Sequence, residues 1–461
     1  MAELAGGARI WQGRPHDASD RKQAMTRLLV LNGGASVKPD RSGAYLNLTD
    51  PLALFEQRGV NTGDIVVYDA IIRHLEFTSL QDIGFGVAAQ QKRWPVEPPD
   101  ATIIRGSNYL SAQLDLTEAV PLIRHLRGPI VPIGLGAQAA NYGPIEMPRG
   151  SVEFWREVAG KCTSLGVRGA YSAEILASIG IHNIRIIGCP SFYRMMQPEL
   201  RIRAVAPEQA RLGLTLNRHL AGPYTSNRFK TIRLQRALIA AAAGREGSRI
   251  FSQGEREESL MPLVPKLRQA ELLAHVLGNF QLQEDGAAAA LLSQRMSAHL
   301  DPDEWARDLG DQVDFMLGFR VHGTVMALQQ GIPGVYFTYD SRIREIASLY
   351  RVPSIEIEDF APIDLEQTMA AADFRPFEKA YRENYAEYLL FLDENGLRHR
   401  LPPALSPPRV AAPDGQPERL PMTFTDSRLA GWYRGEWEAL NLAHEALTAQ
   451  AHPQFIHRGR A

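Results

Sequence analysis

Two cysteines in 461 residues, Cys162 and Cys189, are too few for a disulfide framework and form no Cys-x-x-Cys metal pair. A reducing, cytoplasmic setting is expected. Runs of about 18 apolar residues are also missing, and the first 26 residues hold no apolar core of the signal-peptide kind. Secretion and membrane spanning are therefore not expected. Charge of one sign is lacking too: 50 Lys and Arg against 52 Asp and Glu leave a net charge of −2. With no global positive field, nucleic acid is not an expected partner, and neither is an anionic membrane surface. The first strand-to-helix turn lacks Gly-x-Gly-x-x-Gly, and Gly-x-x-x-x-Gly-Lys-Ser/Thr is absent, which weakens dinucleotide and P-loop readings. No His or Cys cluster suggests a metal, and no cofactor is expected.

What is present is an ordinary core composition, with 45% hydrophobic and 22% charged residues. From residue 27, short β-rich runs ending at Gly, Asn or Ser alternate with stretches of helical spacing, the pattern of βα units. Strands are predicted at 27–33, 101–110, 128–138, 163–167 and 184–188, with helices beginning near 64, at 151–162 and at 170–179. The alternation restarts at 211–217 and continues through helix 231–243, strand 248–253, helix 258–276, strand 313–319, helix 323–330, strand 334–339, helix 342–350 and strand 352–357. Helical segments follow at about 364–398. The expected organisation is an α/β protein of two Rossmann-like, doubly wound domains with a C-terminal helical extension. Its parts are an N-terminal tail (1–26), a first domain (27–205), a second domain (206–400), a proline-rich linker (401–425) and a C-terminal helix with tail (426–461).

Open parallel sheets bind ligands outside the carboxyl ends of their strands, where helix amino termini present free N–H groups. Five groups occupy such positions. Asn61, Gly63 and Asp64 precede a helix: Asn or Asp there is an N-cap, and Asp64 is also a carboxylate able to orient or deprotonate a sugar hydroxyl. Arg105-Gly106-Ser107-Asn108 and Gly134-Leu135-Gly136-Ala137-Gln138 end two strands. Asn108 and Gln138 offer amides to sugar hydroxyls, Gly136 permits close backbone approach, and Gly134 reads as a tight turn. Arg168, at a strand end beside a helix start, combines a five-donor cation with free N–H groups, apt for phosphate or carboxylate. Arg320 and His322, just before Gly323, end an apolar strand; on extended backbone their spacing sends both side chains to one side. A histidine can pass a proton near neutrality while an arginine holds an anion. Gln253 follows another strand and is a candidate acceptor contact. Cys189 is expected to be a packing residue, with no histidine close in sequence.

At Arg320-Val321-His322-Gly323, Ala327-Leu328 and Gly331-Ile332-Pro333, the chain resembles the polysaccharide pyruvyl transferase family. Asn61-x-Gly63-Asp64, Val167-Arg168-Gly169, Ser172-Ala173-Glu174-Ile175-Leu176, Gly180-Ile181 and Gly188-Cys189-Pro190-Ser191 add to the resemblance, which spans roughly residues 60–350. It implies a fold like the two-domain GT-B glycosyltransferases with the active site between domains. It further implies phosphoenolpyruvate as donor and, as acceptor, a sugar of a cell-surface or exopolysaccharide repeat unit, free or lipid-linked. Peripheral association with polysaccharide assembly machinery at the membrane would follow. The family's arginine before the first-domain helix maps to Arg168, and its Arg-x-His pair to Arg320 and His322. Two departures mark a distinct branch. Cys189 stands where many members have Asp, and the run Asp340-Ser341-Arg342-Ile343-Arg344-Glu345 stands where some have lysine, making Arg342 a candidate replacement anion contact. Two rivals keep the same architecture: a nucleotide-sugar glycosyltransferase, and a non-catalytic sugar-binding or scaffold protein of a polysaccharide assembly complex.

Overall fold

Parallel strands covered by helices on both faces must be apolar throughout, and ATIIR and IVPIGL are buried at every position. The computed structural model describes residues 27–46, 61–86, 98–217, 224–264, 266–357 and 364–409. The expected tail 1–26, positions 410–425 of the expected linker and the expected helix within 426–461 lie outside the described residues.

The first lobe runs β1 (Arg27–Leu31), the hairpin β2 (Ser36–Val37) and β3 (Ala44–Tyr45), α1 (Thr62–His74), β4 (Ser79–Ile83), β5 (Ala101–Arg105), α2 (Val120–His125), β6 (Ile130–Leu135), α3 (Arg149–Ala159), β7 (Leu165–Val167), α4 (Ala170–Ser178) and β8 (Ile184–Ile186). Its sheet has six parallel strands in the order β4-β1-β5-β6-β7-β8. The second lobe runs β9 (Leu212–Thr215), α5 (Arg228–Ala243), β10 (Arg249–Ser252), α6 (Arg256–Leu260), α7 (Lys266–Asn279), α8 (Gly286–Gln294), β11 (Met296–Ala298), α9 (Pro302–Gln312), β12 (Phe315–Gly318), α10 (Val321–Gln329), β13 (Gly334–Thr338), α11 (Ser341–Tyr350) and β14 (Ser354–Glu356). Its six parallel strands follow the order β11-β10-β9-β12-β13-β14.

In each sheet the winding reverses once, between β1 and β5 in the first and between β9 and β12 in the second. Helices diverge at such switch points and leave a crevice at the carboxyl ends of the strands. Asn32 and Arg105 sit at the first crevice; Thr215 and Arg320 sit at the second, joined by a bond from the Arg320 amide to Thr215 Oγ1 at 3.1 Å.

Several elements depart from the sequence expectation. The single helix expected over 258–276 is the pair α6 and α7, and the unassigned stretch 277–312 contains α8, β11 and α9. Gly134, expected in a turn, lies inside β6, where its φ of +84° accompanies a shift in the pairing of β6 with β7. A side chain there is barred twice, since a Cβ would meet Pro190 at 2.6 Å.

Two features tie the lobes together. After α12 (Leu365–Ala371), the long α13 (Arg375–Glu394) spans both: Asn384 donates to the Leu349 carbonyl at the end of α11, while Phe391 packs under Gly166 of β7. Beneath the cleft, the fully buried Arg194 donates to Asp69 of α1 at 2.5 Å and to Asp303 of α9. Arg73 also bridges Asp69 and Asp303, each at 2.8 Å, and Lys38 reaches Asp303 at 2.7 Å. Three cations thus converge on two carboxylates from both lobes, and removing one partner from the fully buried Arg194–Asp69 pair costs about 3–5 kcal/mol.

Candidate active site at the facing switch points

α10 begins where β12 ends, so its first turn faces the other lobe. Arg320 is the extended N-cap residue (φ −124°, ψ 134°), whereas His322 already belongs to the helix. The two therefore do not share a face by strand alternation, as expected from their spacing; the strand-to-helix transition itself turns both into the cleft. Both are only 6% exposed.

His322 is wedged against the first lobe. A Cβ on Gly63 would lie 2.3 Å from its Nδ1, so only glycine in the first turn of α1 allows the ring this close. On the other side of the ring, Nε2 lies 3.8 Å from Cys189 Sγ, which also accepts from Ser191 Oγ at 3.0 Å. No histidine lies close to Cys189 in sequence, but one 133 positions away reaches it through the fold. Cys189 is fully buried, and its packing role stands.

Burial, and then the guanidiniums of Arg168, Arg342, Arg105 and Arg320 in that order, hold the His322 pKa well below its usual value. The imidazole is neutral at neutral pH. Each of the four arginines has an anchor. Arg168 Nη1 donates to Asn108 Oδ1 at 2.7 Å, and Gly136 lies directly against both side chains. Arg320 Nη2 donates to Glu255, Arg342 Nη2 pairs with Asp340 at 2.9 Å, and Arg105 Nη1 pairs with Asp64 at 3.1 Å. Arg168, Arg320 and Arg342 each also carry a buried Nε with no hydrogen-bond partner among the described residues. Buried donors left unpaired are costly, and three of the four arginines whose charge acts on this imidazole keep one.

The remaining candidates divide. Asn61 caps α1, its Oδ1 accepting from the Gly63 amide at 3.1 Å. Gln253 is consumed by the lobe contact: its carbonyl accepts from the Thr62 amide at 2.7 Å, its Nε2 donates to Asn61 at 3.3 Å, and its Oε1 accepts from the Gly323 amide at 3.1 Å. It therefore joins the two helix starts rather than presenting an amide to the cleft. Gln138 is buried, its side-chain Nε2 without a partner among the described residues, while its backbone N–H donates to the Leu110 carbonyl at 3.1 Å. Asp64 is half-open, its side chain 35% exposed, beside the exposed Asn61.

One expectation about Arg168 changes. One free N–H at the start of α4 is already occupied, because Glu345 from α11 accepts from the Ser172 amide at 2.7 Å and from Ser172 Oγ at 2.9 Å. A carboxyl group from the opposite lobe sits where a phosphate was expected, leaving Arg168 to act by its side chain. Glu345 carried no sequence signal, and Arg105 stood out only as part of a strand-end sequence.

Two doubly wound lobes facing each other across a cleft built from their switch points are the arrangement of the GT-B fold. The sequence matches the polysaccharide pyruvyl transferase family over residues 61–341, more than half of the chain, and the protein belongs to that family. No protein of curated function matches the sequence. Solved structures similar in fold include a UDP-N-acetylglucosamine 2-epimerase (11% identity, 84% of this chain and 100% of that one, TM-score 0.39). Two more are S. aureus MnaA with UDP (10% identity, 80% and 94%, TM-score 0.39) and a UDP-forming α,α-trehalose-phosphate synthase from Burkholderia xenovorans (12% identity, 80% and 96%, TM-score 0.35).

Proposed function

We propose that the protein transfers pyruvate from phosphoenolpyruvate, as a ketal, onto a diol of a saccharide in a cell-surface or exopolysaccharide repeat unit. The observation that carries this is the enclosure of a neutral, buried histidine by four guanidiniums, three of them with an unspent buried donor. Phosphoenolpyruvate bears a carboxylate and a phosphate on one carbon, C2, and two anionic groups on one small molecule suit several converging arginines. Nothing in the proposal needs a metal or a cofactor.

The chemistry balances on residues of this chain. A proton passes from the His322 imidazolium to C3 of the donor as an acceptor hydroxyl oxygen bonds C2; the hydroxyl proton goes to a carboxylate, for which Asp64 is placed. The second hydroxyl then bonds C2 as the C2–O bond to phosphate breaks, and its proton leaves with phosphate. Arg168, Arg320 and Arg342 hold the carboxylate and phosphate and stabilise charge as it moves. His322 is neutral in the unliganded protein. The donor's negative charges offset the guanidinium field and raise the ring's proton affinity, so the proton arrives together with the donor.

The test is direct. Purified protein with phosphoenolpyruvate and a panel of saccharides should release phosphate and add to one of them the mass of pyruvate less one water. His322→Ala and Arg320→Ala should abolish transfer with folding intact; full activity of either removes that residue from the chemistry. Thermal stabilisation by nucleotide sugars and none by phosphoenolpyruvate would replace this reading with a glycosyltransferase. The acceptor, free or lipid-linked, is assigned by linkage analysis of the product; a lipid-linked one would bring the protein to the membrane surface where the polymer is assembled.

A further inference from the structure

The four arginines of the cleft are not equivalent. Arg168, Arg320 and Arg342 each keep a buried Nε without a hydrogen-bond partner among the described residues; Arg105 keeps none. Its Nε donates to the Asn32 carbonyl, its Nη1 donates to the Gly106 carbonyl at 3.2 Å and pairs with Asp64 at 3.1 Å, and its Nη2 reaches Tyr109 Oη at 3.5 Å. Every nitrogen of the fork is thus engaged within the protein.

The surroundings are built to hold that fork. Asn32, at the end of β1, has φ of +60°, a left-handed conformation that costs a non-glycine residue of order 1 kcal/mol and persists only where neighbours enforce it. Here the twist turns the Asn32 carbonyl onto Arg105. The Asn32 side chain is itself fixed, Oδ1 accepting from the Phe85 amide at 2.8 Å and Nδ2 donating to Tyr109 Oη at 3.2 Å. The next two amides, of Gly33 and Gly34, both donate to Asp82, each at 3.1 Å. A strained strand end, a tyrosine and a buried arginine therefore converge on a single outlet, Asp64, the half-exposed carboxylate in the first turn of α1.

We propose that Arg105 is a positioning residue for the acceptor side of the reaction: it grips Asp64 Oδ1 so that Oδ2 faces the cleft and takes the proton of the attacking saccharide hydroxyl. The electron pair of the O–H bond becomes the new bond to C2, and the proton moves to the carboxylate. This rests on the ketal-transfer reading above and divides the cluster into three arginines for the donor and one for the acceptor. The cleft then has a donor wall on the second lobe and Arg168, and an acceptor corner at the switch point of the first sheet.

A double-mutant cycle tests it, with phosphoenolpyruvate as the donor probe and the saccharide diol that the wild type turns over as acceptor. Arg105→Met and Asp64→Asn should each lower kcat/KM for the acceptor by about 10²–10⁴-fold, the range for a lost general base. The double variant should be no worse than either single, because Arg105 acts through Asp64. Phosphoenolpyruvate affinity, titrated without acceptor, should stay at the wild-type value in both. Arg105→Lys, which keeps the charge but cannot fork to Asn32 and Tyr109, should lose turnover with donor affinity retained; it carries the test if circular dichroism shows that Arg105→Met is unfolded. A tenfold or larger loss of donor affinity would make Arg105 a direct anion ligand, and additive losses would make it independent of Asp64; either overturns the proposal. A wild-type protein that binds phosphoenolpyruvate but transfers pyruvate to no diol refutes the reading beneath it, and the assignment of Arg105 falls with it.

Discussion

The proton on His322 is where burial and chemistry meet. A buried imidazole inside four guanidiniums gives up its proton well below its usual pKa, yet protonating C3 of an enol phosphate needs an imidazolium. In the proposed reaction, donor binding resolves the conflict by cancelling part of the positive field. The sign follows: the bound form has the higher pKa, so phosphoenolpyruvate binding takes up protons at pH values between the two, and apparent affinity weakens as pH rises through that window. Calorimetric titration in buffers of different ionisation enthalpy should show uptake approaching one proton in the wild type and none through this ring in His322→Gln. Equal uptake in both would place the proton elsewhere. Arg320 and His322 were legible because an arginine and a histidine at a strand end before a helix are few enough to notice. The company they keep was not: Cys189, Gly63, Arg342 and Arg105 reach the ring from separate strand ends, and a one-dimensional pattern holds no record of which ends face one another.

At the level of elements, the strands buried on both faces announced themselves through largely apolar runs, as in β5, β6 and β13. Those that escaped notice lie at sheet edges. β4 reads SLQDI and buries only its last residue, and β11 is three residues long between two helices; such strands are specified by the neighbour they pair with more than by their own composition. Side chains that cross from lobe to lobe are equally silent, and Glu345 is the consequential one. Burial pushes its carboxyl up to about 7, against the opposing pull of the Ser172 amide and hydroxyl and of Arg168. In the unfolded chain the group ionises near its ordinary 4.5, so the native state holds a proton that the unfolded state has lost. This contribution to stability is therefore undiminished below about 4.5 and falls as pH rises toward 7. Glu345→Gln keeps an acceptor for the Ser172 amide and cannot ionise. The variant should melt higher than the wild type above pH 7, by about 1–3 kcal/mol, with the gap closing toward pH 5. A variant less stable than the wild type at pH 8 would mean that the ionised carboxylate is what the contact needs.

Across the whole molecule, near-neutral net charge coexists with a concentrated positive field because the arginines converge only when two lobes meet. Arg105 and Arg168 come from one sheet, Arg320 and Arg342 from the other, and each lobe alone presents half a site. In the closed arrangement Arg105, Arg168, Arg320 and His322 are all between 3% and 6% exposed, too little for a substrate to reach them without the lobes parting. Parting them breaks apolar packing of Val66 in α1 against a cluster that includes Phe251, Met316 and Met326 of the second lobe, together with polar contacts at four backbone amides. The Thr62 amide bonds the Gln253 carbonyl, the Ala139 amide bonds Ser341 Oγ, the Ser341 amide bonds the Ala139 carbonyl, and the Ser172 amide bonds Glu345. The buried arginine–carboxylate network and α13 lie behind them, where a hinge would lie, and have no need to open. Hydrogen exchange should therefore find these four amides exchanging as a group, faster than the strand amides of β5 or β12, through an opening that leaves both sheets intact. If phosphoenolpyruvate touches arginines of both lobes, as proposed, it binds the closed form alone and should slow all four together by a common factor that grows with its concentration. If donor protects only Ser172 and Ala139, near Arg168, and leaves Thr62 and Ser341 unchanged, the lobes move independently of the donor, and closure does not assemble the site.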